Sequence, residues 1–177
     1  RQIDTLRCEL QSGPRHFRFS PDRKYLYLLY ELKNVVDVYS FHEEEDGGEV
    51  SFEKIQTIST FLEKDRDPLI AACQMRFSPD KEASHLFVAN AGINTISIYD
   101  RDFDTGLLTM KGSLPVGGEY PKDFCIFPDE RHIAVANNES GTITFLNIDY
   151  EHGLLSMSAR DLEVDEPNCI CMVKCRG

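Results

Sequence analysis

The chain has 177 residues, 41% of them hydrophobic and 28% charged, and its 19 basic and 30 acidic side chains give a formal net charge of −11. These proportions are typical of a folded globular chain, which at this length buries roughly two-thirds of the surface exposed on unfolding. The net acidity argues against nucleic acid as the main partner. The sequence also has no apolar run close to the roughly 18–20 residues of a membrane-spanning helix, so we expect no membrane partner.

A short motif recurs along the chain and divides it into similar units. Phe-Ser-Pro-Asp stands at residues 19–22 and again at 77–80, and a reduced form, Phe-Pro-Asp, stands at 127–129. The second and third units also match at a fixed offset of 47 residues, as in Val-Ala-Asn at 88–90 and at 135–137. These matches indicate that one unit has been duplicated along the chain.

Each unit shows the pattern of β-strands. Apolar residues alternate with polar ones or form short runs, and no stretch has the i, i+3, i+4, i+7 spacing of an amphipathic helix. The predicted strands are residues 16–19, 25–30, 35–41 and 50–58 in the first unit, 75–77, 86–89, 95–99 and 107–114 in the second, and 124–127, 133–136, 142–148 and 154–159 in the third. Four strands in about 45–58 residues make one blade of a β-propeller, so the predicted fold is all-β with four-stranded antiparallel blades.

The boundaries of the units predict about three and a half blades, which we expect to be a partial propeller because propellers usually close with four to eight. Residues 13–68, 69–118 and 119–164 are predicted to be blades. Residues 1–12, with a strand over 3–10, would be the last strand of a preceding blade, and residues 165–177 the start of a further one. We therefore expect a fragment, about the C-terminal half of a longer protein. Its open sheet edges would be covered by the remaining half of the propeller or by another copy.

The first unit carries polar residues suited to catalysis. Arg15 and His16 open its first strand, and Glu31 follows its second. Because these strands are antiparallel and the first strand of each blade lines the central channel, we expect all three at one face. Together they could hold an anion, move a proton and orient the base. The alternative is a salt bridge between Arg15 and Glu31 at a blade edge, with His16 packed or exposed to solvent.

The repeat register adds two further cations on inner strands. Lys122 follows a blade-opening proline as Arg15 does, and Arg76 lies on the first strand of the intervening unit. In a chain of net charge −11, these cations predict a local positive field that suits an acidic or phosphorylated ligand. The alternative is that Arg76 and Lys122 simply pair with acidic neighbours such as Asp123.

The same residues resemble a known family. Gly-Pro-Arg-His-Phe-Arg-Phe-Ser-Pro-Asp at residues 13–22, Tyr-Glu-Leu at 30–32 and Val-Asp-Val-Tyr at 36–39 resemble the lactonase family of β-propellers. That family includes propeller-type 6-phosphogluconolactonases and carboxymuconate cyclases. Further matches extend the resemblance over nearly the whole chain, at residues 77–80, 86–90, 121–124 and 166–169. The resemblance implies a propeller of roughly seven blades with a polar cleft at one end of its channel.

The resemblance also implies roles for individual residues. The arginine and histidine of the family's Gly-Pro-Arg-His motif fall on Arg15 and His16, and its glutamate falls on Glu31. Two arginines that are common in later blades of the family are replaced here by Ala91 and Lys122. Lys122 keeps a positive charge but lacks the planar fork that binds carboxylate or phosphate in a bidentate way.

The function implied by the resemblance is hydrolysis of a small anionic sugar-acid lactone, with no cofactor. Water would attack the ring carbonyl while either His16 or Glu31 accepts its proton and the other orients the base. Arg15 would stabilise the oxyanion, and Lys122 and Arg76 would bind the charged group of the substrate. Two alternatives stay open: a carboxymuconate cyclase-like lactonizing enzyme, and a non-catalytic propeller that binds a protein or small ligand.

The chain has six cysteines. Three are isolated in or beside predicted strands and are expected to be small buried residues: Cys8, Cys73 and Cys125. The even spacing of Cys169, Cys171 and Cys175 would place them on one face of a strand, but it lacks the Cys-x2-Cys pairs of zinc sites, so we predict no metal. The polar first residues show no signal segment, and we expect reduced thiols and a cytoplasmic location.

Overall fold

The three predicted units are three antiparallel sheets. The computed structural model describes residues 4–44, 49–159 and 161–173. Within these ranges it contains no α-helix, and a single 3-10 turn, Glu63–Asp65, joins the first sheet to the second. The predicted all-β fold of four-stranded blades is confirmed. No helix in the described part of the chain is long and apolar enough to cross a membrane.

Each sheet follows the order of its strands in the sequence, as in a propeller blade. The first contains β1 (Pro14–Phe19), β2 (Tyr25–Tyr30), β3 (Val35–Glu43) and β4 (Val50–Ser59). The second contains β5 (Ala71–Phe77), β6 (His85–Ala91), β7 (Thr95–Arg101) and β8 (Leu108–Pro115). The third contains β9 (Pro121–Ile126), β10 (His132–Asn137), β11 (Thr142–Asp149) and β12 (Leu154–Met157), with β13 (Leu162–Glu163) pairing further along β11.

The recurring Phe-Ser-Pro-Asp motif closes the turn between the first two strands of a sheet. Ser20 Oγ donates to Asp22 Oδ1 at 2.6 Å and accepts the N–H of Tyr25 at 3.0 Å. In the second sheet Ser78 Oγ likewise donates to Asp80 and accepts the N–H of His85 at 3.0 Å. The motif therefore recurs because each inner strand must turn sharply into the next strand.

Apolar side chains fill the spaces between neighbouring sheets. Between the first and second sheets, Tyr27, Leu29 and Val38 pack with Met75 and Val88, all with no exposed surface. A second cluster of the same kind joins the second sheet to the third. Since each such side chain contributes about 1.5–3 kcal/mol on burial, this stacking fixes the sheets face to face. It also brings β1, β5 and β9 next to one another as the inner strands.

The predicted strand over residues 3–10 is wrong where the structure describes it, because residues 4–10 contain no strand. Leu6 and Cys8 pack instead against Leu26, Leu28 and neighbouring residues on the outer face of the first sheet. Within the described residues this segment covers a sheet face with its side chains and pairs with no strand. An alternating pattern is equally compatible with both arrangements.

Residues 165–173 also contain no strand. In this segment the N–H of Ile170 donates to Asp123 Oδ2 at 3.0 Å, so a side chain takes the place of a strand partner. The predicted alignment of cysteines on one strand face is therefore wrong for Cys169 and Cys171, and Cys175 lies outside the described residues.

Candidate functional site

The inner strands concentrate positive charge at the centre of the molecule. β1, β5 and β9 together carry four cations, Arg15, Arg18, Arg76 and Lys122, against one carboxylate, Asp123. The chain as a whole has a net charge of −11. An excess of cations along adjacent strands of an acidic protein creates a local potential that attracts anions.

A β-bulge recurs at the same point of all three inner strands. The pairing register of β1 with β2 shifts between Pro14 and His16, which leaves Arg15 as the extra residue. The register of β5 shifts around Cys73 in the same way, and that of β9 shifts around Lys122. Because a bulged residue leaves the strand ladder and its side chain is re-aimed, each inner strand presents one residue to the same rim.

Arg15 is the best anchored of these bulged residues. Its Nη1 lies 2.7 Å from Glu31 Oε2, and its Nε donates to the carbonyl of Cys73 at 2.7 Å. Glu31 follows β2, and its N–H donates to the carbonyl of Gly13 at 2.8 Å, which fixes the carboxylate beside the bulge. Both charged side chains remain 32% exposed, so the ion pair is oriented and also accessible to a ligand.

Lys122 lies on the same rim and carries a free charge. Its Nζ is 5.6 Å from the centre of the Tyr120 ring, within the range of a cation–π contact. No ion pair joins Lys122 to a carboxylate in the part of the chain that the structure describes, so the alternative of a Lys122–Asp123 pair is not observed. We call Arg15, Glu31, Cys73, Tyr120 and Lys122 the mouth cluster.

The two neutral members of the mouth cluster stay protonated. Burial raises the pKa of the Cys73 thiol. Burial, and then the nearby Cys73 and Glu31, raise the pKa of Tyr120. The Cys73 thiol donates to the carbonyl of Ala71 at 3.2 Å and is not poised as a nucleophile. The reactive charges of the rim are therefore those of Arg15, Glu31 and Lys122.

His16 follows the bulged Arg15 on β1 and is neutral near pH 7. Burial, followed by the charges of Arg15 and Arg18, lowers the pKa of its imidazole. Within the described residues, no hydrogen bond or ion pair joins His16 to Glu31. The predicted arrangement, in which one of these two orients the other, is thus not formed, because Glu31 is engaged by Arg15.

Arg76 lies at a different level from the mouth. Its Nη2 is 2.9 Å from Asp123 Oδ1, which also accepts Gln74 Nε2 at 2.9 Å, while Asp123 Oδ2 accepts the N–H of Ile170. We call Gln74, Arg76, Asp123 and Ile170 the inner cluster. The alternative in which Arg76 pairs with Asp123 is thus observed, and the bulged residue of β5 at the mouth is Cys73.

Burial alone would raise the pKa of Asp123, but the Ile170 N–H and the Arg76 guanidinium outweigh it and hold the pKa below its usual range. The carboxylate, whose side chain is 5% exposed, is therefore ionised and joins β5, β9 and residues 169–172.

Sequence reasoning missed Cys73, Tyr120 and the anchoring role of Asp123. The repeat register contains a signal for Tyr120, which precedes the blade-opening Pro121 as Gly13 precedes Pro14. β5 has no such proline, so the position of its bulge is not visible in the sequence. Among the described residues, no group of three or more His, Cys, Asp or Glu side chains is arranged to hold a metal ion.

The model of one protein family, described as lactonase, 7-bladed β-propeller, matches residues 2–172. A 6-phosphogluconolactonase from Bacillus subtilis is 28% identical over 123 residues, covering 67% of this chain and 32% of that protein. A putative 6-phosphogluconolactonase from Bacteroides fragilis superposes with a TM-score of 0.80 at 26% identity, covering 96% of this chain and 44% of that one.

A periplasmic gluconolactonase from Pseudomonas aeruginosa superposes with a TM-score of 0.76 at 26% identity, covering 92% of this chain and 43% of that one. The match with the Bacillus subtilis protein spans about a third of its length, 32%, and the matches with these solved structures span less than half of theirs.

Proposed function

The chain belongs to the lactonase family of seven-bladed β-propellers, and from this membership we propose that its mouth cluster binds and opens a sugar-acid lactone. The relatives support a lactone hydrolase at the level of the family. The observation that carries the proposal is the repeated bulge, which brings Arg15, held by Glu31 at 2.7 Å, to the same rim as Lys122, for which the described residues show no ion pair.

Arg15 is the group that stabilises the developing oxyanion. Opening a lactone by water places negative charge on the carbonyl oxygen, and an oriented donor aimed at that oxygen lowers the barrier. Glu31 and the Cys73 carbonyl hold two sides of the guanidinium and leave its remaining N–H groups available. Glu31 is thus a positioning residue for Arg15.

His16 is the proposed proton acceptor. Its imidazole is uncharged near pH 7, because burial and the neighbouring arginines lower its pKa. It would take the proton from the attacking water and return it to the ring oxygen as the carbon–oxygen bond of the lactone breaks. Water and lactone then give a hydroxy acid, and His16 is restored to its neutral form.

Lys122 binds a charged group of the substrate that lies outside the lactone ring. Its ammonium group lies against the Tyr120 ring, and no carboxylate neutralises it among the described residues. Because the ring of a lactone consumes one carboxyl group, this charge is a phosphate ester or a second carboxylate on the sugar acid. Arg76, predicted from the register for the same role, lies at the level of the inner cluster.

We propose further blades, or a second copy of the chain, as the partner that completes the site. The outer face of the first sheet exposes Phe17 by 58%, and the far side of the third exposes Leu154 by 52%, so apolar surface is open at both ends of the stack. A cytoplasmic location stays a prediction, since a periplasmic gluconolactonase is among the structural relatives.

The decisive experiment follows the opening of 6-phosphogluconolactone by NMR, with and without the protein, against the spontaneous rate. We expect acceleration, and a loss of about 10²–10³ in kcat with Arg15→Gln. Arg23→Gln is the matched control, because Arg23 is a 67% exposed arginine that pairs with Glu43 elsewhere. No acceleration by the wild-type protein would leave the non-catalytic binding propeller as the better interpretation.

A further inference from the structure

A second group of cations lies deeper in the channel than the mouth. Arg18 and Arg76 line a cleft of about 500 Å³ on the inner strands. Arg18 lies three residues beyond the bulge at Arg15, and Arg76 three residues beyond the bulge at Cys73. Three residues span about 10 Å along an extended strand. The other walls are mainly apolar or thiol side chains: Phe77, Cys125, Ile126, Ile170, Cys171 and Met172.

The carboxylate nearest to these arginines is already saturated. Asp123 accepts Arg76 and Gln74, and its two oxygens also accept the N–H groups of Phe124 and Ile170. A carboxylate with four donors offers little further acceptor capacity. Asp123 therefore balances one cation of the cleft and leaves the other unbalanced.

Arg18 is the unbalanced cation. Its Nη1 donates to the carbonyl of Phe17 at 2.9 Å, a neutral acceptor, and no ion pair joins Arg18 to a carboxylate in the described ranges. Arg76 also retains a spare donor, since its Nε is buried without a hydrogen-bond partner. Burial, followed by the charge of Arg76, lowers the pKa of Arg18, so the two guanidinium groups repel each other across the cleft.

We propose that Arg18 and Arg76 form an anion-binding site, separate from the mouth cluster, for a compact oxyanion such as the phosphate or carboxylate group of a small metabolite. Two guanidinium forks can donate to the oxygens of one such group, and the bound charge removes their mutual repulsion. The apolar wall of Phe77, Ile126 and Met172 accommodates a short carbon skeleton. This site does not depend on lactone hydrolysis at the mouth.

Titration of inorganic phosphate into the protein, followed by calorimetry at constant ionic strength, tests the site. We expect saturable binding that Arg18→Gln weakens by at least about tenfold, because a charge-assisted hydrogen bond pair is lost. Arg18→Lys should give an intermediate loss, since it keeps the charge without the fork. The exposed-arginine control Arg23→Gln should leave the affinity unchanged.

A chemical measurement covers the case in which an Arg18 variant fails to fold. Phenylglyoxal modifies free arginines, and mass spectrometry of the wild-type protein reports the rate at Arg18 with and without phosphate. We expect phosphate to slow modification of Arg18 but not of Arg23. Absence of phosphate binding, unchanged labelling of Arg18, or loss of binding only with Lys122→Gln would each overturn the proposal.

Discussion

The mouth cluster and the inner cluster both use β5 and β9, to which the mouth cluster adds β1 and the inner cluster adds Ile170, and each is built around an arginine–carboxylate pair. In the mouth, Arg15 and Glu31 are both 32% exposed. In the inner cluster, Asp123 is 5% exposed and accepts three further donors besides Arg76. The two arginines are almost equally exposed, at 32% and 33%, so the two pairs differ mainly in the burial of the carboxylate and in the number of hydrogen bonds it accepts.

The comparison indicates that burial separates a structural ion pair from a binding one. A pair near the surface contributes about 0–1 kcal/mol to stability, so Arg15 and Glu31 can be used for recognition at little cost. Removing one partner of a buried pair leaves an uncompensated charge and is strongly destabilising. We therefore expect Asp123 to hold the sheets together, while its partner Arg76 also faces the proposed anion site, and we expect the mouth cluster to act on a lactone.

The largest expected effect is the loss of stability caused by Asp123→Ala. It leaves Arg76, Gln74 and the Ile170 N–H without their shared acceptor, and we expect a loss of about 3 kcal/mol in the free energy of unfolding. Urea unfolding measures it. Glu63→Ala is the matched control, because Glu63 pairs with Arg66 at the surface with 78% and 65% of their side chains exposed.

Equal effects of Asp123→Ala and Glu63→Ala would show that burial does not distinguish the two environments.

The low-pH side of the curve of unfolding free energy against pH gives a second test, since the pKa of Asp123 lies below its usual 3.8 in the fold. A carboxyl with a depressed pKa stabilises the fold above its unfolded pKa, and this stabilisation is lost as the pH falls through the folded value. Asp123→Asn should therefore make the unfolding free energy depend less steeply on pH in this acidic range.

Glu31→Gln should, unlike Asp123→Ala, affect activity more than stability. We expect kcat for lactone opening to fall by about 10–100-fold, because Arg15 loses the carboxylate that orients it, while the unfolding free energy changes by less than about 1 kcal/mol. Rates and urea unfolding are measured on the same preparation. A stability loss as large as that of Asp123→Ala would make the Arg15–Glu31 pair structural after all.

Lys122→Gln should affect binding more than chemistry. The charge lies against Tyr120 and is proposed to contact a part of the substrate that does not react. We expect KM for an anionic lactone to rise by about tenfold, or about 1.4 kcal/mol, with kcat nearly unchanged. An uncharged lactone of the same ring size is the control, and it should show no change in KM. A fall in kcat alone would move Lys122 into the catalytic group.

The smallest expected effect is the pH dependence that His16 gives to kcat/KM and to stability. Burial and the charges of Arg15 and Arg18 place the pKa of His16 below 6.5. The base is therefore active at neutral pH, and kcat/KM should fall only when the pH drops below 6.5. In His16→Gln the residual activity should lack this acidic decrease. Between the folded pKa and 6.5 the unfolded state binds more protons, so stability should decrease as the pH falls through that window. A limb centred above 6.5 would exclude His16.

The repeated units and the alternation within them were sufficient to predict the blades, because both are local patterns along the chain. The largest errors in strand bounds are at the inner strands, where β5 begins at Ala71 and β9 at Pro121, several residues before the predicted starts. The missed residues read Ala-Ala-Cys-Gln at 71–74 and Pro-Lys-Asp at 121–123, and neither run alternates between apolar and polar residues, so periodicity does not reveal where these strands begin.

The sequence by itself determined the all-β class, the order of the blades and the placement of Arg15 and Glu31 at one face. All three follow from neighbouring antiparallel strands, whose ends meet wherever they pack. Only the tertiary structure decided the bulge at Cys73, the pairing of Arg76 with Asp123 and the separate position of Arg18. Arg76 and Asp123 are 47 residues apart on different sheets, so their contact depends on how the sheets stack. Stacking is governed by side-chain packing across sheets, which periodicity within a strand does not encode.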